Sequence, residues 1–255
     1  TGPGGVGKTH LINEFIKNAE QRGKKVQVCA LTGCASILLG CNAKTIHSWS
    51  GIKMAKGAKE QIIGRALRGK KVKQNWKNIQ VLIIDEVSMM SKKIFEVLEE
   101  LSRFARLNPK PFGGLQLVLT GDFFQLPPIG DINEPDTSAF CFESPKWHNV
   151  IPLDNHIELN TMFRQKDPKY IEILSQIRKG ELSEVNAKIL TEHSIRKYDI
   201  EKNNGINIPK LFPVKSRVDY INALMFEKIS NEESEYNIDK IYDCRVYLES
   251  GITIE

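Results

Sequence analysis

The residues that decide the fold stand at the start of the chain, where positions 2 to 9 read Gly-Pro-Gly-Gly-Val-Gly-Lys-Thr. This is a complete G-x-x-x-x-G-K-[ST] phosphate loop, whose backbone N–H groups cradle a phosphate chain while the lysine reaches the β and γ phosphates. The glycines lack the Cβ atoms that would obstruct this approach, and they are Gly2, Gly4, Gly5 and Gly7. Lys8 is therefore a candidate phosphate ligand, and the Thr9 hydroxyl is a candidate ligand for Mg²⁺.

The segments that follow the loop predict an α/β fold. Apolar residues recur at helical spacing between positions 8 and 22, so the phosphate would sit at the N-terminus of this helix. Short apolar runs at 26–31, 81–84 and 117–119 each end in polar residues or glycine. Such runs are typical of parallel strands that are buried on both faces and carry ligands at their carboxyl ends. With a further amphipathic helix at about 91–107, the alternation predicts a doubly wound parallel sheet.

A new series of predicted helices and strands begins after position 153. A helix containing Ile171, Leu174 and Ile177 is expected to end near Gly180, and a strand-like run at 211–214 leads into a helix that begins at Ser216. These segments resemble the entry into a second α/β unit that the chain ends without completing. A buried strand normally precedes a phosphate loop and only Thr1 does so here, so we expect the chain to be truncated at both ends.

Composition limits the class of protein. The chain has 255 residues, of which 41% are hydrophobic, and no run approaches the roughly 18 apolar residues that cross a bilayer, so no membrane association is expected. The cysteines form no C-x-x-C pair and have no histidine at zinc spacing; they are Cys29, Cys34, Cys41, Cys141 and Cys244. We interpret them as reduced intracellular thiols, in a compartment (nuclear or cytoplasmic) that the residues leave open.

The positive charge is concentrated in one stretch. Positions 53–77 contain nine basic residues and one acidic residue, so this stretch carries +8 while the whole chain carries +5. Two interpretations stay open: a solvated surface, or a site for nucleic-acid phosphates that includes Lys70, Lys71 and Lys73.

Two further motifs carry chemistry. Asp85 and Glu86 end an apolar strand, where ATP hydrolysis beside a phosphate loop needs one carboxylate for Mg²⁺ and another for the attacking water. Gln125 lies within Gly-Asp-Phe-Phe-Gln-Leu-Pro-Pro at 121–128, just past the third strand, where an amide can hydrogen-bond a γ-phosphate. Neither a GTPase nor a nucleotide kinase has reason to carry this string.

Six motifs together resemble superfamily-one DNA helicases of the Pif (petite integration frequency) type, which are related to RecD. Besides the phosphate loop they are Leu-Thr-Gly-Cys-Ala-Ser at 31–36, Thr-Ile-His-Ser-Trp-Ser-Gly-Ile at 45–52, Leu-Ile-Ile-Asp-Glu-Val-Ser-Met at 82–89, Leu-Thr-Gly-Asp-Phe-Phe-Gln-Leu-Pro-Pro at 119–128 and Met-Phe-Arg-Gln-Lys-Asp at 162–167. The resemblance implies a first RecA-like P-loop domain at 1–150, and linking helices with the start of a second RecA-like domain at 151–255. It also implies ATP and Mg²⁺ as cofactors, and single-stranded DNA, forks or G-rich structures as partners of a monomeric motor with 5′ to 3′ polarity.

The resemblance further implies a role for each matching position. Glu86 would be the catalytic carboxylate and Asp85 the Mg²⁺ ligand, Gln125 would sense the γ-phosphate, and Arg164 would stabilise its developing charge. The segments along single-stranded DNA would include Thr32, Gly33, His47 and Ser48. The adenine-contacting glutamine motif and the second-domain motifs are absent, so we expect low activity from this chain alone.

Three functions stay in competition: an ATP-dependent DNA helicase in repair, recombination, replication or telomere maintenance, an ATPase switch that clamps DNA without unwinding it, and a kinase or GTPase. The string at 121–128 and the absence of a guanine-reading motif argue against the last. Of the tryptophans, Trp49 suits either a stacking platform or the core, and Trp76 is predicted to lie in the core.

Overall fold

The computed structural model describes residues 1–196 and 209–228, together with the backbone of two short strands near the C-terminus. The chain divides into two compact units, at Thr1–Ile195 and Arg196–Glu255. Within the described ranges, no helix is long and apolar enough to cross a membrane.

The first unit contains a parallel four-stranded sheet. Its strands are β1 (Val26–Ala30), β2 (Lys44–Thr45), β3 (Val81–Asp85) and β4 (Gln116–Leu119), in the order β2-β1-β3-β4. Ala30 pairs with both Thr45 and Asp85, and Ile84 pairs with Leu119. Because all pairings are parallel, the carboxyl ends of the strands meet at one edge of the sheet, where ligands of α/β proteins bind.

Helices pack on both faces of the sheet, with α1 (Lys8–Gln21) on one face and α6 (Lys92–Arg106) on the other. The other helices of the first unit are α2 (Gly33–Leu39), α3 (Ile46–Ser50), α4 (Lys59–Arg68), α5 (Lys70–Asn78), α7 (Trp147–Val150), α8 (Pro168–Lys179) and α9 (Glu184–Ser194). Local chemistry sets their ends: the Ser91 hydroxyl accepts the Ile94 N–H at 3.3 Å to begin α6, and Gly180, at φ 75°, ends α8.

The side chains of β3 alternate between the two layers of the core. Leu82 and Ile84 join the larger cluster, where Trp76 and Phe95 are fully buried, whereas Ile83 packs with Ile12 of α1 on the other face. This two-sided burial explains why the strand reads as a continuous apolar run.

The predicted strands at 26–31, 81–84 and 117–119 and the helices at 8–22 and 91–107 are confirmed to within about one residue at each end. Trp76 lies in the core as predicted, and Trp49 is buried beside it with ring centroids 4.6 Å apart. The prediction of a strand at 211–214 is wrong: these residues are irregular, with a bend at 213–214, and Pro213 has no N–H to donate to a strand partner.

The second unit contains α10 (Lys215–Phe226), which begins one residue before its predicted start, and the antiparallel pair β5 (Val246–Tyr247) and β6 (Thr253–Ile254). Most of its residues lie outside the described ranges, so the second RecA-like domain and the boundary at 150 stay predictions. In the first unit, β4 is an edge strand, and a cavity of about 770 Å³ lies beside it.

Candidate active site

The phosphate loop curls around its own lysine. Gly7 has a left-handed backbone (φ 89°) and precedes the first turn of α1. The Lys8 Nζ donates to the carbonyl oxygens of Gly2 and Pro3 at 2.8 and 2.9 Å, so the ammonium group is held inside the loop. Burial lowers the pKa of Lys8, and three nearby carboxylates, Asp122, Glu86 and Asp85, oppose that shift. Thr9 is exposed on the next position of the helix.

The segment at 157–164 lies along the loop. The Leu159 N–H donates to the Thr1 carbonyl at 2.8 Å, and the N–H groups of Phe163 and Arg164 donate to the Gly5 carbonyl at 2.9 and 3.2 Å. A Cβ atom on Gly5 would lie 2.7 Å from the Cβ of Arg164, closer than real Cβ atoms approach. The fold therefore brings Arg164 directly against the loop, and only glycine fits between them.

The acidic pair lies at the end of β3, within the electrostatic reach of Lys8. Asp85 is buried and accepts a hydrogen bond from the Thr120 hydroxyl, which follows β4. Glu86 has a left-handed backbone (φ 58°, ψ 41°) that turns its side chain away from the strand direction. Burial and then the charge of Asp85 raise the pKa of Glu86, although Lys8 opposes them. Asp85 is thus fixed by a hydrogen bond while Glu86 is made more basic, which is the division of labour that their predicted roles require.

The turn after β4 carries the predicted sensor. Gln125 is exposed, and its Nε2 donates to the Asp122 carboxylate at 3.1 Å. A Cβ atom placed on Gly4 would lie 4.0 Å from that same nitrogen, so the amide faces the phosphate loop. Asp122 in turn is ion-paired with Arg178 of α8.

The chain offers few ligands for a metal ion at this site. Among the residues that the structure describes, no group of three or more His, Cys, Asp or Glu side chains could enclose a metal. Mg²⁺ is ordinarily bound by one or two carboxylates together with water and substrate phosphates. Asp85, the Thr9 hydroxyl and the glycine loop fit an ion of that kind.

The predicted DNA-contacting residues form a separate group at the same edge of the sheet. Thr32 begins α2 after β1, with its hydroxyl accepting the Ala35 N–H at 3.2 Å, and Gly33 is exposed beside it. His47 and Ser48 lie on α3 after β2; Ser48 is exposed, and burial lowers the pKa of His47. His47 is therefore neutral near pH 7 and suited to hydrogen bonding rather than to charge pairing.

The basic stretch forms α4 and α5, and α5 packs directly on α3. The Asn75 side chain donates to the Trp49 carbonyl at 3.2 Å, and the Trp76 indole donates to that of Ser50 at 3.4 Å. Lys70, Lys71 and Lys73 of α5 are exposed, and none of them is in an ion pair with a described residue. By contrast, Lys59 is paired with Glu96.

The structure therefore gathers Lys8, Asp85, Glu86, Gln125 and Arg164 around the loop and leaves the DNA candidates as a neighbouring surface. Two residues at the site, Asp122 and Arg178, were not predicted from the sequence. Asp122 could have been found because it stands in the same motif as Gln125. Nothing in the sequence of α8 distinguishes Arg178.

A glycine loop with a half-buried lysine, an acidic pair and a parallel sheet define the chain as a P-loop nucleoside-triphosphate-binding protein of the α/β class. The family model for PIF1-like helicases matches residues 1–188, so the chain belongs to that family. It is 36% identical to the ATP-dependent DNA helicase RRM3 of Saccharomyces cerevisiae over 259 aligned positions, which cover 100% of this chain and 35% of the relative.

Solved structures agree with this assignment. The Pif1 helicase of Candida albicans matches with a TM-score of 0.81 and 34% identity, over 91% of this chain and 50% of that one. A Bacteroides Pif1 bound to single-stranded DNA matches with a TM-score of 0.66 and 27% identity, over 87% of this chain and 51% of that one. The chain spans about a third of the length of the curated relatives it matches.

Proposed function

We propose that this chain is the ATP-binding part of an ATP-dependent DNA helicase that moves 5′ to 3′ on single-stranded DNA and separates duplexes. The observation that carries the proposal is that three features meet at one loop: a half-buried lysine, an acidic pair in which the two carboxylates differ, and an amide that faces Gly4. Relatives named as ATP-dependent DNA helicases support it, and so does a relative solved with single-stranded DNA.

Each residue would act on ATP through a contact that its position allows. Lys8, already directed into the loop, would bind the β and γ phosphates. Bound Mg²⁺, held by Thr9 and Asp85, would neutralise phosphate charge. Glu86 would accept a proton from the attacking water, and its raised pKa brings it closer to the pH at which a base is most effective.

Two further side chains would respond to the γ-phosphate. The Gln125 amide would donate a hydrogen bond to it. Arg164, whose backbone is tied to Gly5, would place its guanidinium near the developing charge, where such an arginine contributes about 10³ to 10⁵ in rate. Loss of the γ-phosphate would therefore remove a partner from both side chains.

Single-stranded DNA would lie along α2 and α3 and reach α5. Lys70 and Lys71 stand in the first turn of α5, which contains no acidic residue. Lysines there oppose the helix dipole and do not stabilise the helix. Their exposure on a helix that packs on α3 is better explained by contacts with phosphate, which position a nucleic acid without reading its bases.

Forks, G-rich structures, a monomeric motor and a role in repair, recombination, replication or telomere maintenance are proposed from the family alone. The experiment that tests the function measures strand displacement by the complete helicase of which this chain is proposed to be part, on duplexes with only a 5′ or only a 3′ single-stranded tail. Unwinding from the 5′ tail alone is expected. Unwinding from the 3′ tail alone would contradict the polarity, and DNA-stimulated ATP hydrolysis without unwinding would favour the DNA-clamping switch.

A further inference from the structure

Arg178 lies outside all the motifs above, yet its guanidinium is bound to a buried carboxylate at the site. Its Nε lies 3.1 and 2.9 Å from the two carboxylate oxygens of Asp122, and its terminal nitrogen donates to one of them at 2.7 Å. The Asp122 side chain is 1% exposed and that of Arg178 is 16% exposed. The pair joins α8 to the turn after β4, which are 56 residues apart in sequence.

Arg178 is itself held in place. Its guanidinium carbon lies 4.3 Å from the centre of the Phe124 ring, which limits rotation of the planar group. Asp122 accepts a further hydrogen bond from the Phe124 N–H at 3.2 Å. The carboxylate is therefore fixed by partners on both elements.

The carboxylate orients Gln125. An ionised carboxylate only accepts hydrogen bonds, so the amide must turn its NH₂ group toward Asp122, as the 3.1 Å contact shows. Burial acts to raise the pKa of Asp122, but hydrogen bonds, first of all from Arg178, outweigh it and lower the pKa. The NH₂ group has a second hydrogen, and a Cβ atom added to Gly4 of the phosphate loop would lie 4.0 Å from its nitrogen.

We propose that Arg178 is a positioning residue for the γ-phosphate sensor: it holds Asp122, and Asp122 aims the Gln125 amide at the phosphate loop. The proposal deepens the proposed function and rests on the sensing role of Gln125. Without the guanidinium, the buried carboxylate would lose two of its donors and the amide would lose its fixed orientation. Binding of a nucleotide with a γ-phosphate would weaken, whereas ADP, which lacks that group, would bind as before.

The experiment measures the affinity of the 255-residue chain for fluorescent ATPγS and ADP in the presence of Mg²⁺. Arg178→Ala is expected to weaken ATPγS binding about tenfold, the order of one hydrogen bond to a charged group, with ADP affinity unchanged. Gln125→Ala should give the same shift, and the double variant should add nothing, because both changes break one chain of contacts. The matched control is Arg103→Ala, which removes a partly buried ion pair with Glu99 on α6, a helix that contributes no residue to the site.

Arg178→Lys keeps the charge without the bidentate fork, so its ATPγS affinity should fall about threefold while ADP affinity holds. Removing one partner of a buried ion pair destabilises a fold strongly, so Arg178→Ala must first be shown to fold, by cooperative unfolding. If it does not fold, Arg178→Lys replaces it in the test. Two results would overturn the proposal, provided that Gln125→Ala still weakens ATPγS binding. The first is that the Arg178 variants weaken ATPγS and ADP binding equally, and the second is that folded Arg178 variants change neither affinity. If Gln125→Ala itself left ATPγS binding unchanged, the sensing role would fail first, and this proposal with it.

Discussion

Replacing Lys70, Lys71 and Lys73 together with alanine gives a quantitative test of the DNA surface. If each lysine neutralises one phosphate of a single strand, each contributes about 0.7 to the slope of log affinity against log salt, so the triple variant should flatten the slope by about 2 units. Over a fourfold rise in salt, the unmodified protein would then lose about 16-fold more affinity than the variant.

The structure supplies a matched control for this variant. Lys24 and Lys25 precede β1 and Lys110 lies before β4, so these exposed lysines stand toward the amino ends of the strands. Replacing all three with alanine removes the same charge from the opposite edge of the sheet. The control slope should stay within about half a unit of the original, the effect of less than one phosphate contact.

The assay is fluorescence anisotropy with a labelled oligonucleotide at several salt concentrations. Thermal unfolding should show no loss of stability in the α5 variant, since lysines in the first turn oppose the helix dipole. Equal slopes for the two triple variants would show that these lysines do not contact DNA phosphates and that this part of α5 is a solvated surface.

Three other predictions follow from the site and the core. Lys8→Ala should abolish ATP binding and leave single-stranded DNA affinity largely intact, and unchanged ATP affinity in the variant would contradict the loop's role. Glu86 must be ionised to act as a base, and its pKa is raised, so the acid limb of the pH profile of kcat/KM for ATP should lie above the pH expected of an ordinary glutamate. An acid limb near about pH 4 or below would contradict the role of Glu86 as the base. Trp76→Ala should reduce the free energy of unfolding by about 3 to 5 kcal/mol in denaturant titrations, since this fully buried ring packs α5 on α3; a loss below about 1 kcal/mol would contradict that packing.

The elements that sequence could predict are those with local patterns. The apolar run of β3 predicts a strand because both faces of the strand are buried. Ser91 indicates the start of α6 because its hydroxyl caps the helix. The phosphate loop and acidic pair were readable because their chemistry demands particular residue types at fixed spacing.

The remainder depends on contacts between distant residues that no local pattern encodes. The Asp122–Arg178 pair spans 56 positions, and an arginine in the last turn of a helix such as α8 is equally favoured by the helix dipole alone. The segment at 157–164 has no periodicity, and its backbone hydrogen bonds to Gly5 became visible only in the structure. At 211–214 the apolar composition favoured a strand, but Pro213 cannot supply a ladder hydrogen bond.

We infer that one site binds ATP and that Glu86 activates the water which hydrolyses it. Phosphate release and fluorescent ATP binding, both measured on Glu86→Gln in the presence of single-stranded DNA, test this inference. The amide keeps the shape of the side chain and loses the base, so turnover should fall at least about 100-fold while ATP affinity changes less than about threefold. Turnover in Glu86→Gln equal to that of the unmodified protein would contradict the role of Glu86 as the base that activates water.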